Sequence, residues 1–129
     1  MSNKPIASKP LVLVVDDSPD VISLVCGLLR DSYTLKIATN GKSALKVIES
    51  GVIPDLILLD IMMPQMDGYA TLNAIKQLPE TNSIPVIMLT AEGYLLNKTL
   101  AFNMGAVDYI TKPVNASDLI SRVAAALGK

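Results

Sequence analysis

Apolar residues fall along the chain in short unbroken runs, and each run is stopped by a polar residue and followed by a stripe at helical spacing. Leu11 to Val15 (LVLVV) is the first run. Five consecutive aliphatics rich in branched side chains predict a strand buried on both faces. The run stops at Asp16-Asp17. Ser18 then offers an N-cap and Pro19 a first-turn proline, and Val21, Leu24, Val25, Leu28 and Leu29 form one stripe of a helix that ends near Arg30-Asp31. Residues 33–38 (YTLKIA) predict a weaker second strand. Asn40-Gly41 marks a turn, and Ala44, Leu45 and Ile48 mark a second helix ending at Gly51. Leu56 to Leu59 is a third strand, closed by Asp60. The stretch Met62 to Gly68, with Pro64, reads as a loop, and Leu72, Ile75 and Leu78 read as a third helix closed by Pro79. Residues 85–89 form a fourth strand ending at Thr90. A fourth helix over 94–104 has Gly105 at its C-terminal cap. Residues 107–110 form a short fifth strand, followed by Lys112. Asn115 caps the last helix, with Asp118 in a capping-box-like place and Leu119, Ile120, Val123, Ala124 and Leu127 as its stripe.

Five strands alternating with five helices through short connections predict parallel pairing with right-handed crossovers. The fold expected is a doubly wound five-stranded parallel α/β sheet with helices on both faces. A chain of 129 residues fits one domain, with residues 1–10 read as a flexible arm and 11–128 as the folded unit. Half the residues are hydrophobic, yet there is one Phe and no Trp, so aliphatic side chains must fill the core. The formal net charge is -1 and there is no His. No basic excess advertises a nucleic-acid surface, and histidine acid–base chemistry and the usual zinc sites are excluded. Cys26 is the single cysteine, so no internal disulfide forms; a structural or incidental status is expected for it. The polar start is not a secretory signal, and no run approaches 18 apolar residues. A soluble cytoplasmic protein, or the cytoplasmic part of a larger one, with no membrane contact is expected. The glycine-rich dinucleotide fingerprint is missing after the first strand, where DDSPD stands instead.

The residues that stop the strands carry the chemistry. In a parallel sheet the C-terminal strand ends share one edge, and ligands bind there where strand order reverses. Asp16, Asp17, Asp60, Thr90 and Lys112 are therefore expected to converge on one crevice. Three carboxylates in one small site repel each other unless a hard cation sits among them. Mg²⁺ suits oxygen donors and needs few direct carboxylates. Asp60 would then serve as a nucleophile toward a phosphoryl group, with Lys112 as a second positive charge and the Thr90 hydroxyl as a donor to a phosphoryl oxygen.

Four strings, VLVVDDSPD at 12–20, PDLILLDIMMPQMDGY at 54–69, PVIMLTA at 85–91 and GAVDYITKP at 105–113, resemble the receiver domain of bacterial two-component response regulators, of the chemotaxis type. They cover nearly all of the chain beyond residue 10, in order and at workable spacing. The resemblance implies a flavodoxin-like (βα)5 fold with strand order 2-1-3-4-5. It implies that Asp60 is the phosphoacceptor, that Asp17 binds the metal directly and Asp16 through water, and that the Met62 backbone carbonyl completes the metal shell. The metal implied is Mg²⁺, for which Mn²⁺ can substitute. Thr90 and Lys112 match the phosphate-sensing pair, the Ala91 backbone amide a further phosphate contact, and Tyr109 the aromatic switch residue. Lys112-Pro113 stands where the family has a cis peptide bond. The phosphodonor implied is a phosphohistidine on a sensor histidine kinase or phosphotransfer protein. Such a domain catalyses its own phosphorylation and slow dephosphorylation but is mainly a regulatory switch.

Two positions depart from the usual pattern: Met62, two beyond Asp60, and Glu92, two beyond Thr90. A methionine cannot hold an attacking water, so slow self-dephosphorylation is expected. In the fourth helix Leu95, Leu96, Leu100, Phe102 and Met104 are too many apolar residues for one buried stripe. They suggest that the face made by the fourth helix, fifth strand and fifth helix docks a second copy or an output domain. Two other readings compete. A small Mg²⁺-dependent phosphatase or phosphotransferase would want a substrate-binding insertion, and none is visible. A binding module that has lost phosphorylation would not need the full set of acids with Thr90 and Lys112. The string GAVDYITKP is also similar to receivers joined to cyclic-dinucleotide enzymes.

Overall fold

The computed structural model describes residues 9–63, 66–91 and 95–128, with the backbone alone described for 95–98. Strands β1 (Leu11–Val15), β2 (Thr34–Ala38), β3 (Leu56–Asp60), β4 (Val86–Ala91) and β5 (Asp108–Lys112) alternate with helices α1 (Pro19–Leu29), α2 (Gly41–Glu49), α3 (Gly68–Gln77), α4 (Leu95–Asn103) and α5 (Ala116–Ala126). All four strand pairings are parallel, in the order β2-β1-β3-β4-β5. The doubly wound topology is therefore the one the sequence predicts. Of the arm expected at 1–10, residues 1–8 lie outside the described residues. The Pro10 carbonyl already accepts the Thr34 N–H at 3.0 Å.

Burial explains why the runs differ in strength. Every residue of β3 is buried, because it lies in the middle of the sheet with helices on both faces. At the two edges only Ala38 of β2 and Ile110 of β5 are fully buried, which is why those strands read weakly in the sequence. Alternate residues feed two cores. Leu13, Val15, Ile57, Leu59, Val86 and Met88 meet Ala44 and Ile48 of α2, Leu72 and Ile75 of α3 and Ala101 of α4. Val12, Val14, Leu56, Leu58, Ile87, Leu89 and Ile110 meet Val25 and Leu29 of α1 and Leu119 and Val123 of α5. Among the described residues, no helix is long and apolar enough to cross a membrane.

Helix ends follow the expected caps. Ser18 Oγ accepts the Val21 N–H, Asn40 Oδ1 that of Ser43 at 2.8 Å, Asp67 Oδ1 that of Ala70 at 2.9 Å, and Asn115 Oδ1 that of Asp118 at 3.0 Å. Gly105 closes α4 with φ +109, a conformation that disfavours any residue with a Cβ.

Four expectations need correction. Leu24 and Ile120 sit in the predicted stripes yet are exposed, because the sheet faces accept narrower stripes centred on Val25-Leu29 and Leu119-Val123. Leu78 is the C-cap of α3, just past the helix, from where it still packs against the core. β5 runs on to Lys112, so the lysine ends the strand instead of following it. The Asp118 carboxylate takes the Arg122 Nε–H at 2.7 Å, so it is committed one turn onward along α5.

Candidate functional site

Asp16 follows the last residue of β1, and Asp60 is the last residue of β3. These strands are neighbours although β2 separates them in sequence, so the reversal of strand order falls between them. Asp16 is fully buried and Asp60 is 2 % exposed, whereas Asp17 is exposed. One carboxylate oxygen of each lies within 4.8 Å of the others. Lys112 reaches this group from the far edge strand. Its Nζ stands 3.1 Å from Asp60 Oδ1, to which it donates a hydrogen bond, and 2.9 Å from Asp16 Oδ2.

Local backbone orders the acids. Asp16 Oδ1 accepts the Ser18 N–H at 2.9 Å, and the Asp16 N–H donates to the Ala38 carbonyl at 3.1 Å. Asp60 Oδ1 accepts the Met62 N–H at 3.3 Å. Asp16 Oδ2 meets Lys112 as an ion pair but lacks hydrogen-bond alignment. Among the described residues it is the buried side-chain oxygen left without a hydrogen bond.

Electrostatics follow from this crowding. Burial, and next the Asp16 charge, push the Asp60 carboxyl up to about 6 despite the opposing Lys112 hydrogen bond. Burial would lower the Lys112 ammonium, but its contacts with Asp16 and Asp60 outweigh that and hold it above the ordinary lysine value. One ammonium cannot neutralise three carboxylates. An all-oxygen donor set in which three carboxylates face one ammonium fits a hard divalent cation such as Mg²⁺.

The other predicted residues lie on β4 and β5 or just beyond the ends of β3 and β5. Thr90 is buried near the end of β4, its hydroxyl donating at 3.3 Å to the Ala91 carbonyl. Ala91 pairs with Lys112 across the ladder. The Lys112–Pro113 bond is cis. The Met62 side chain points outward, 55 % exposed. It lines an open apolar recess of about 440 Å³ with Ile61, Met63, Asp67 and Tyr69. Tyr109 is half-buried, edge-on to Phe102 of α4 with ring centroids 5.8 Å apart, and the Arg122 guanidinium lies 5.8 Å from its ring centre. Position 92 and the side chains of Leu95 and Leu96 lie outside the described residues. Cys26 is half-buried, and burial raises its thiol above the ordinary value.

Residues 12–124 match the response regulator receiver domain. The chain belongs to this family. Among solved structures, the receiver domain of NtrX from Brucella abortus superposes with a TM-score of 0.85 at 36 % identity, covering 92 % of this chain and 98 % of that one. The chemotaxis protein CheY4 of Vibrio cholerae gives 0.85 at 28 % identity, covering 92 % and 99 %. Among curated proteins, the "Probable cyclic di-GMP phosphodiesterase" of Vibrio cholerae is 47 % identical over 116 residues, which are 90 % of this chain and 26 % of that protein. The transcriptional regulatory protein CpxR of Escherichia coli K12 is 40 % identical over 117 residues, 90 % of this chain and 48 % of CpxR. The chain thus spans a quarter to a half of the length of these two relatives. It is a signalling receiver domain whose acidic cluster is of the kind that holds a metal ion.

Two features of the receiver escaped the sequence reading. Arg122 bridges Asp118 of its own helix and Asp108 of β5, both at 2.7 Å. The i,i+4 spacing of Asp118 and Arg122 was an available signal for half of this. Gly68 falls in the segment expected as a loop, yet it begins α3 directly against Asp60.

Proposed function

We propose that this receiver takes a phosphoryl group onto Asp60 from a phosphohistidine of a sensor histidine kinase or phosphotransfer protein, in a Mg²⁺-dependent reaction. The observation that carries this reading is the convergence of Asp16, Asp17, Asp60 and Lys112 from strand ends distant in sequence, with Asp60 buried and gripped by the lysine. In the step, an Asp60 carboxylate oxygen forms a bond to phosphorus while the phosphorus–nitrogen bond to the imidazole breaks. The imidazole leaves with its proton. Asp17 and Asp60, with Asp16 through water and the Met62 carbonyl, would hold Mg²⁺, which supplies charge neutralisation for the phosphoryl oxygens. Lys112 moves from pairing the bare carboxylates to pairing the phosphoryl group. The Thr90 hydroxyl and the Ala91 N–H donate to the remaining oxygens.

In this reading the receiver unit is 11–128, and phosphorylation biases a two-state equilibrium of α4 and β5 that turns Tyr109 inward as Thr90 moves. The α4-β5-α5 face, with Leu100, Phe102 and Ile120 exposed, then engages a second copy or an output domain. The exposed Met62 thioether offers no hydrogen bond to an attacking water, so the phosphorylated state is long-lived. Replacing Met62 with Asn should speed phosphate loss, and an unchanged or slower loss refutes that part.

The central test is incubation with acetyl phosphate and Mg²⁺, read by intact mass. Wild type should gain one phosphoryl group and Asp60→Ala none. Equal uptake by the two proteins, or none by wild type, overturns the reading.

A further inference from the structure

We propose that Met62 is an oxidation site that sets the lifetime of the phosphorylated state: on taking one oxygen atom from a peroxide, its thioether becomes a hydrogen-bond acceptor beside Asp60 and speeds phosphate loss. This rests on the phosphoacceptor reading of Asp60.

The methionines differ sharply in access. Met88 is fully buried in β4, and Met63 is 8 % exposed. Met104 packs against the core. The Met66 sulfur lies against the start of α2, 3.1 Å from where a Cβ on Gly41 would stand. Among the described methionines only Met62 is exposed, at 55 %. It also lines the open recess of about 440 Å³ beside Asp67 and Tyr69, which has room for a molecule as small as a peroxide. An oxidant must touch the sulfur to react, so it meets this thioether first.

Placement gives the modification its consequence. The Met62 N–H donates to Asp60 Oδ1 at 3.3 Å, which ties this residue to the acceptor carboxylate. Ile61 and Met63 on either side are buried, so Met62 presents the water-facing side chain of segment 61–63. As a thioether it is a weak acceptor and leaves a nearby water unheld. As a sulfoxide it is polar and accepts hydrogen bonds through its oxygen.

The chemistry balances with a peroxide as the co-reactant. The sulfur lone pair attacks one oxygen of hydrogen peroxide, the sulfur–oxygen bond forms and the oxygen–oxygen bond breaks. The departing hydroxide takes the remaining peroxide proton and leaves as water. Sulfur gives up two electrons and the peroxide gains them. In the later hydrolysis the sulfoxide oxygen accepts a hydrogen bond from the attacking water. That water's oxygen bonds to phosphorus while the bond from phosphorus to the Asp60 oxygen breaks. Asp60 leaves as carboxylate with the electron pair, and the water's protons pass to phosphate and solvent.

The test treats the purified protein with hydrogen peroxide, removes the excess with catalase and maps the added oxygen by peptide mass. The protein is then phosphorylated with acetyl phosphate and Mg²⁺, freed of donor, and followed by intact mass. Met62 should gain its oxygen before any other methionine. Phosphate loss should quicken about three- to tenfold, the worth of one hydrogen bond to the attacking water. A pair of reductases specific for the two sulfoxide epimers should restore the slow loss. Met62→Leu is compared only with itself: whatever its starting rate, peroxide should leave that rate where it was. Met66→Leu should respond to peroxide as wild type does. Earlier oxidation of another methionine overturns the proposal. So does a lifetime that oxidation leaves unchanged or lengthens, or a peroxide effect that survives Met62→Leu or resists the reductases. Untreated wild type that takes up no phosphate ends the phosphoacceptor reading and the proposal with it. Uptake with a lifetime indifferent to Met62 oxidation ends the proposal alone.

Discussion

Two charge clusters hang on β5, built from the same chemistry under opposite conditions. At its C-terminal end Lys112 pairs with Asp16 and Asp60, both almost wholly buried, beside a third acid. On its flank Arg122 pairs with Asp108 and Asp118, with side chains between a quarter and two-fifths exposed. In the flank cluster water shares the solvation, and the guanidinium satisfies both carboxylates at 2.7 Å. In the buried cluster negative charge exceeds positive, one oxygen lacks a hydrogen bond, and Asp60 is driven up to about 6. A pairing that leaves charge unbalanced out of water weakens the fold. The surface cluster, balanced and wet, adds little to stability but ties α5 to β5 beside Tyr109.

Removing each cation separates the two most sharply. In metal-free buffer, Lys112→Ala should lose about 3 kcal/mol by urea denaturation, because Asp16 and Asp60 are left buried without a counter-charge. Arg122→Ala, at the other extreme, should lose under about 1 kcal/mol, and less at high salt. Equal losses would dissolve the distinction.

Removing the acceptor acid should have the next largest effect, with the opposite sign. Asp60→Asn abolishes an ionised group that the metal-free fold holds at a cost, so it should stabilise the protein by about 2 kcal/mol at neutral pH. A loss of stability would show the pocket to be balanced after all.

The pH dependence follows from the same shift. The folded carboxyl of Asp60 titrates near 6, above its ordinary 3.8. The folded state therefore binds more protons than the unfolded state between those values, and lowering the pH through that window favours folding. Metal-free wild type should gain stability as pH falls from 7 toward 5, Asp60→Asn should lack that gain, and saturating Mg²⁺ should flatten it. A wild-type profile matching Asp60→Asn in chelator would refute the assignment.

Much of this was legible along the chain. The continuous aliphatic runs of β1, β3 and β4 announced central strands, because a strand covered on both faces has no reason to alternate. The acids at 16, 17 and 60 announced a shared edge, because parallel strands all end on one side. Other features were not legible because they depend on partners far away. Leu24 and Ile120 fit helical stripes as well as their buried neighbours do, and only the width of the contact with the sheet left them outside. Arg122 showed its local partner Asp118 but not Asp108, which is brought near by the packing of α5 on β5. Gly68 gave no sign of its contact with Asp60, since a close approach of two backbones leaves no mark beyond a glycine that a loop would also use.

By itself, then, the amino-acid order determined the alternation of strand and helix, the identity of the strand-ending residues and the family to which they belong. All of these are encoded in residues that are neighbours or one turn apart. Tertiary structure decided that Lys112 grips Asp60 across 52 residues, that one oxygen of Asp16 is left without a hydrogen bond, and that α3 leans on the acceptor strand. Those outcomes depend on distances of a few ångströms between segments that meet only when both faces of the sheet are covered, and periodicity carries no record of such distances.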